Sequence, residues 1–384
     1  MSPEPRASAV GATSVGPAVG PRLRAGIRRG VHASRLPPAV LVALLCLALE
    51  GVFDALLRHE SGISGDERFY TRMAAHPSGP HNFPYAFRIV VPWLVHVLPF
   101  SHVASFTGLA LLAIAVSGGA MYALLLQFRT PRDIAVGLSV GFALAPNLLV
   151  VLLRHGRSVD PAVVLVLTLG SLFIVRRQKL ALGLTLVVGV GVHESCLFLI
   201  PFAYAVWARR PLDWTAARDA ALVGVLPIVI YLILRSSIDA VGIQYIPGYS
   251  GPFLQERLDM IRQALSGGSW HTEIRRLALA YGPLWLLAPI ALRSCSFARR
   301  GLVLVALCLG SMTFAFDWGR IIFFAAPLFY VAAAHVIKDR RRLALVTVIS
   351  LLAWDVGYAI YMQVYGVQHG IDPTVATSVR VPVY

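Results

Sequence analysis

The chain has 384 residues, 57% of them hydrophobic and only 14% charged, with a mean hydropathy of +0.70. Soluble domains carry roughly a quarter charged residues, so this deficit, spread over many apolar runs, excludes a soluble globular protein and points to the bilayer. The formal charge of +15 does not point to nucleic acid, because the arginines sit in short clusters between apolar runs rather than on one surface.

In chain order, residues 1–36 are rich in Pro, Gly, Ala, Ser and Arg, a mixture that buries too little apolar surface to fold alone. They are expected to form a disordered basic cytoplasmic tail. Pro38 to Leu57 is too long for a signal-peptide core and is not followed by a clean small-residue cleavage site, so it reads as an uncleaved anchor. Glu50, Asp54 and Arg58 are spaced by four and share one helix face, where they are expected to neutralise one another.

The region 37–366 reads as one multi-pass membrane domain with extracytoplasmic loops at 58–87 and 235–276, followed by a short extracytoplasmic tail at 367–384. After the anchor, apolar runs cover 103–126, 134–153, 161–175, 180–206, 219–234, 277–292, 301–316, 321–337 and 343–365. The expected fold is all-α, a polytopic transmembrane bundle of about 9–12 membrane helices, some re-entrant or half-length. Cys46, Cys196, Cys295 and Cys308 fall mostly in apolar segments without CxxC spacing, so neither a disulfide framework nor a metal knuckle is expected.

Lys and Arg are retained in cytoplasmic loops. Clusters at Arg22–Arg29, Arg129–Arg132, Arg176–Lys179, Arg209–Arg218, Arg293–Arg300 and Lys338–Arg342 can all lie inside, with the N-terminus cytoplasmic. Two demands follow. Arg88 to Phe100 is too short to cross at about 1.5 Å per residue, so it must lie at the interface or re-enter. Leu180 to Val206 must begin and end inside, as two half-helices broken near Gly189, Gly191, His193 and Glu194; the alternative is one long tilted span.

With this topology the outer face collects the 58–87 loop with Asp66, Glu67 and Arg88, then Arg154, His155, Arg157 and Asp160 of RHGRSVD, His193 with Glu194, and Asp317 with Arg320 of FDWGR. Ionisable groups beside hydrocarbon are costly unless paired or hydrated, so their convergence marks a candidate site in a water-filled outward cavity. Asp160 is expected to cap the helix that opens at Pro161. Arg154, His155 and Arg157 suit a phosphate or pyrophosphate. Asp317 and Arg320 are three apart and can pair with each other.

His193 and Glu194 begin like HExxH, but Leu197 breaks the zinc-protease spacing. There is no GxxxxGK[ST] and no GxSxG, and the GxG at 189–191 lacks its third glycine. Gly137 and Gly141 form a GxxxG that reads as helix packing. An amphipathic helix over Pro252 to Leu265 is expected to lie on the membrane.

One crossing, an outer loop carrying GDERFY, an amphipathic YAFRIVVPWL and many short crossings together resemble the GT-C superfamily of integral-membrane glycosyltransferases. That resemblance implies transfer of a sugar from a polyprenyl-phosphate donor to a glycan, lipid or protein acceptor at the inner (plasma) membrane. It implies Asp66, or Glu67 in its place, as the base that takes the acceptor proton, and fixed cations for the departing phosphate. No DxD motif occurs, and the sequence leaves a divalent metal ion open. Two rivals stand beside it: a secondary transporter, and a polysaccharide polymerase or ligase using a lipid-linked substrate.

Overall fold

The computed structural model describes residues 36–57, 66–238, 240, 241, 255, 258, 259, 262, 270–312 and 318–361. The expected tails, the segment 58–65 with Arg58, and Asp317 therefore lie outside the described residues, apart from Leu36. Gln255, Leu258, Asp259 and Arg262, the described members of the expected interfacial helix, are helical, and Gln255 donates to Asp259 at 3.0 Å.

The helices are α1 (Pro38–Leu57), α2 (Asp66–Ala75), α3 (Val90–Val97), α4 (His102–Gln127), α5 (Arg132–Ala143), α6 (Pro146–Leu153), α7 (Asp160–Arg176), α8 (Lys179–Val192), α9 (Leu199–Trp207) and α10 (Trp214–Ser237). They continue with α11 (Trp270–Tyr281), α12 (Ala288–Ser294), α13 (Ser296–Ser311), α14 (Trp318–Phe323), α15 (Ala326–Ile337) and α16 (Arg341–Tyr361). A two-residue parallel pair, β1 (His81–Asn82) on β2 (Ala240–Val241), ties the loop after α2 to the end of α10. The chain is an all-α membrane protein. Among the described residues four helices, α1, α4, α10 and α16, are long and apolar enough to cross, and bent pairs raise the number to six.

Several runs that read as unbroken spans are interrupted, and proline explains where. α5 and α6 meet at 47° because Pro146 opens the second helix and holds Ala145 extended. The segment 273–294 bends by 51° ahead of Pro289, and α14 gives way to α15 ahead of Pro327. α3 is only eight residues long, about 12 Å, so it cannot cross. It buries Val91 and Val95 and turns Trp93 and Val97 outward.

The run 180–206 breaks at His193, whose backbone is extended between α8 and a single 3-10 turn at 194–198. Its two ends return to the same end of the bundle. Trp207 Nε1 donates to the Ile174 carbonyl at 2.9 Å, Arg177 reaches the Trp207 carbonyl at 3.5 Å, and Lys179 pairs with Asp219 at 2.6 Å. The hairpin, rather than a tilted span, is the arrangement seen. Close approach at its tip needs glycine, since a Cβ on Gly189 would stand 2.9 Å from Cys196 Cβ.

The arginine clusters within the described residues share one end of this unit. Arg300 donates to the Val206 carbonyl, Phe128 meets Phe297 at 4.9 Å, and α5 and α16 run in the same direction through Gly137 on Val348 and Gly141 on Leu351. The GxxxG is thus a packing device. Glu50 is fully buried in α1 with no hydrogen-bond partner among the described residues.

Candidate functional site

The opposite end holds the acids. Asp66 and Glu67 open α2, where the positive end of the helix dipole favours carboxylates. Tyr70 follows one turn later on the same face and is buried. The single 3-10 turn Tyr85–Phe87 then lays Tyr85 flat on Phe69, with centroids 4.6 Å apart, and edge-on to Tyr70 at 5.5 Å. This aromatic stack fixes Tyr85 so that its hydroxyl donates to Asp66 Oδ1 at 2.5 Å.

Arg88, leaving that turn, is 8% exposed and fully engaged. Its Nη2 and Nε reach Glu194 at 2.7 and 3.2 Å, and Nη1 donates to the Tyr70 hydroxyl at 2.9 Å. Burial disfavours the charge on Arg88, but Glu194 and Tyr70 outweigh it and hold the guanidinium protonated. The hairpin tip is thereby fastened to the α2–α3 connection.

Arg320 makes the second junction. It contacts Asp66 Oδ2 at 2.9 Å and Asp160 Oδ2 at 3.2 Å. α14 carries it there because two elements, α6 and α11, hold its first residues: Asn147 donates to the Gly319 carbonyl at 3.2 Å, the Trp318 N–H donates to Glu273 at 3.2 Å, and Glu273 pairs with buried Arg276. Burial raises the Asp66 pKa, while Arg320, Tyr85 and Arg88 lower it further, so its carboxyl titrates below the ordinary carboxylate range.

Asp160 does not cap α7 as expected. It is the first helical residue, and its carboxylate accepts from the Ser158 hydroxyl at 2.8 Å and from Arg320, because Arg320 offers a stronger, charged partner than the helix N–H groups. The turn before it is held by Gly156 at φ +60°, packed on Phe106 and Ala110 of α4, and by Thr107, which donates to the His155 carbonyl at 3.2 Å.

The remaining expected residues divide clearly. Arg154 is paired with Glu67 at 2.8 Å; burial and Arg157 lower its pKa while Glu67 opposes them. His155 is buried at φ +64°. His193 sits beside Glu194, accepts from the Ser195 N–H at 3.1 Å and packs edge-on to Phe324. Arg157 is half-buried and makes no ion pair among the described residues. Asp66, Glu67, Arg88, Arg154, Glu194 and Arg320 thus form three neighbouring ion-pair sets, Arg88–Glu194, Arg154–Glu67 and Arg320 with Asp66 and Asp160, in which four carboxylates meet three arginines.

No family model matches the chain, and no curated protein matches it. The site must speak for itself.

Tyr70, Tyr85 and Ser158 are the network members that sequence reasoning did not assign. Tyr70 carried a signal, its spacing of four from Asp66, whereas Tyr85 is brought in by a turn that no periodicity marks. Among the described residues no group of three His, Cys, Asp or Glu side chains is arranged to hold a metal ion. The four carboxylates of the site are each bound by an arginine. Chemically, the site offers a carboxylate, Asp66, that shares its arginine with Asp160.

Proposed function

We propose that the chain is a membrane glycosyltransferase with a GT-C-like bundle, moving a sugar from a polyprenyl-phosphate donor to an acceptor hydroxyl on the extracytoplasmic side. The observation that carries this reading is the junction Tyr85–Asp66–Arg320–Asp160, a carboxylate and a shared cation at the end of the bundle opposite the arginine clusters. In the proposed reaction the acceptor oxygen attacks the anomeric carbon and the bond to the lipid phosphate breaks. The acceptor proton passes to Asp66. The phosphate leaves with the electron pair, and Arg320 and Arg157 balance its charge.

Donor binding has a second role here. Paired with Arg320, Asp66 is a weak base; when the donor phosphate draws Arg320 away, its basicity rises at the moment the acceptor must lose a proton. Asp66→Asn, reconstituted with labelled polyprenyl-phosphate sugar, is expected to lose transfer by about 10²–10⁴-fold while staying folded, its melting temperature lowered only by the lost pairing with Arg320. Unchanged transfer would remove Asp66 as the base.

A second reading, secondary transport, is favoured by one observation: Glu50 and Asp355 lie in α1 and α16, each at most 1% exposed, with carboxylate oxygens that have no hydrogen-bond partner among the described residues. The two bent spans, 132–153 and 273–294, fit it as well. Solute uptake into proteoliposomes that survives Asp66→Asn but not Glu50→Gln would favour this reading over transfer.

A further inference from the structure

At the far end of α2 from Asp66 lies a pocket of about 500 Å³ lined by Arg72, His76, Ser78, His81 and His96, with no carboxylate in its lining. Six residues of helix separate Arg72 from Asp66, a rise of about 9 Å, so this pocket is distinct from the ion-pair network. His76 and His81 belong to the polar loop, yet the network uses neither.

The pocket wall is built from hydrogen-bonded pieces. The His76 N–H donates to the Arg72 carbonyl at 2.9 Å and the Gly79 N–H to the His76 carbonyl at 3.1 Å, which closes the turn HPSGP. His81 is 7% exposed, and its Nε2 donates to the Pro77 carbonyl at 3.1 Å. Across the pocket, His96 Nδ1 donates to the Ala74 carbonyl at 2.9 Å, locking α3 to α2. Both tautomers are set by these carbonyls. Nδ1 of His81 and Nε2 of His96 remain as the ring atoms not used in the wall, and on protonation each becomes a donor.

Two features select an anion over a metal. Among the described residues no three His, Cys, Asp or Glu side chains converge on a metal position, and Arg72 would repel a cation. The lipid side is marked by α3: the helix that carries His96 turns Trp93 and Val97 outward at 54% and 51% exposure, followed by Phe100 at 65%. Tryptophan is enriched at headgroup level in membrane proteins, and Trp93 supplies one beside the pocket.

We propose that this pocket binds the phosphate of a membrane-lipid headgroup, anchoring the α2–α3 corner to the bilayer surface. The proposal stands independently of the glycosyl-transfer reading. The test uses the full chain in detergent, with phosphatidylglycerol and a diacylglycerol of the same acyl chains as probes, and native mass spectrometry to count retained lipid. Phosphatidylglycerol is expected to be retained by the parent protein about tenfold more strongly than by the Arg72→Gln/His76→Gln double variant, and diacylglycerol by neither. Both replaced side chains are exposed, so the fold is spared. In the parent protein, phosphatidylglycerol is also expected to protect His81 and His96 from acylation by diethyl pyrocarbonate. Equal retention by parent and variant overturns the proposal, as does equal protection by diacylglycerol. Protection by inorganic phosphate without lipid retention overturns the lipid source.

Discussion

Arg88 is the residue with the most to lose. Its charge is buried and shared between Glu194 and Tyr70, so Arg88→Met strands a carboxylate at the hairpin tip. Removing one partner of such a pair costs about 3–5 kcal/mol, and Arg88→Met is expected to lower the melting temperature in detergent, with Glu194→Gln on top restoring part of it. A double variant no more stable than the single would contradict the pairing. Asp66 makes a pH-dependent contribution of known sign. Its folded pKa is depressed, so its pairing stabilises the fold above the unfolded value of about 4 and is lost as pH falls below it. A melting curve is therefore expected to drop on acidification below about pH 4, and less so in Asp66→Asn. At this scale Asp66, Arg88 and Arg320 were legible, because isolated charges in an apolar chain stand out. The place of Tyr85 was not, since its hydroxyl reaches Asp66 only because its ring is stacked on Phe69.

Among the elements, glycines and prolines set the architecture that positions the site. Gly141 lets α16 approach α5 so closely that a Cβ there would stand 2.5 Å from Leu351 Cδ2. Gly141→Ala is expected to cost about 1–3 kcal/mol, read as a lower melting temperature, and an unchanged melt would show that Leu351 yields freely. Gly156 carries a stronger constraint, with φ at +60° and the Phe106 carbonyl 2.8 Å from any added Cβ. Gly156→Ala is expected to cost more than about 1 kcal/mol and to lower the proposed sugar transfer with it, because the same turn sets Arg154 and Asp160. The break at His193 was readable from GVGVHES, a run of small and charged residues within a stretch too long for a half-crossing. The bend at Pro146 was equally present in the letters, but hydropathy alone runs straight through it.

For the whole molecule, the distribution of charge is the organising fact. The described arginine clusters meet helix ends and carbonyls at one end, while Asp66, Glu67, Arg88, Arg154, Glu194 and Arg320 form neighbouring ion pairs at the other. That separation was legible because positive charge is retained on one side of a membrane, a rule that acts on short loops and needs no knowledge of packing. The number of crossings was less legible, since α7, α8, α9 and α15 are shorter than a full span and only the packed bundle shows how their ends are satisfied. The account requires Ser78 and Gln178, both exposed, to face opposite sides of the membrane. The four native cysteines are buried, so single replacements Ser78→Cys and Gln178→Cys can be read against a quiet background. With a membrane-impermeant maleimide on intact cells, position 78 is expected to label and position 178 to label only after lysis. Labelling of both from outside, or of 178 alone, would contradict the shared outward site on which the proposed chemistry depends.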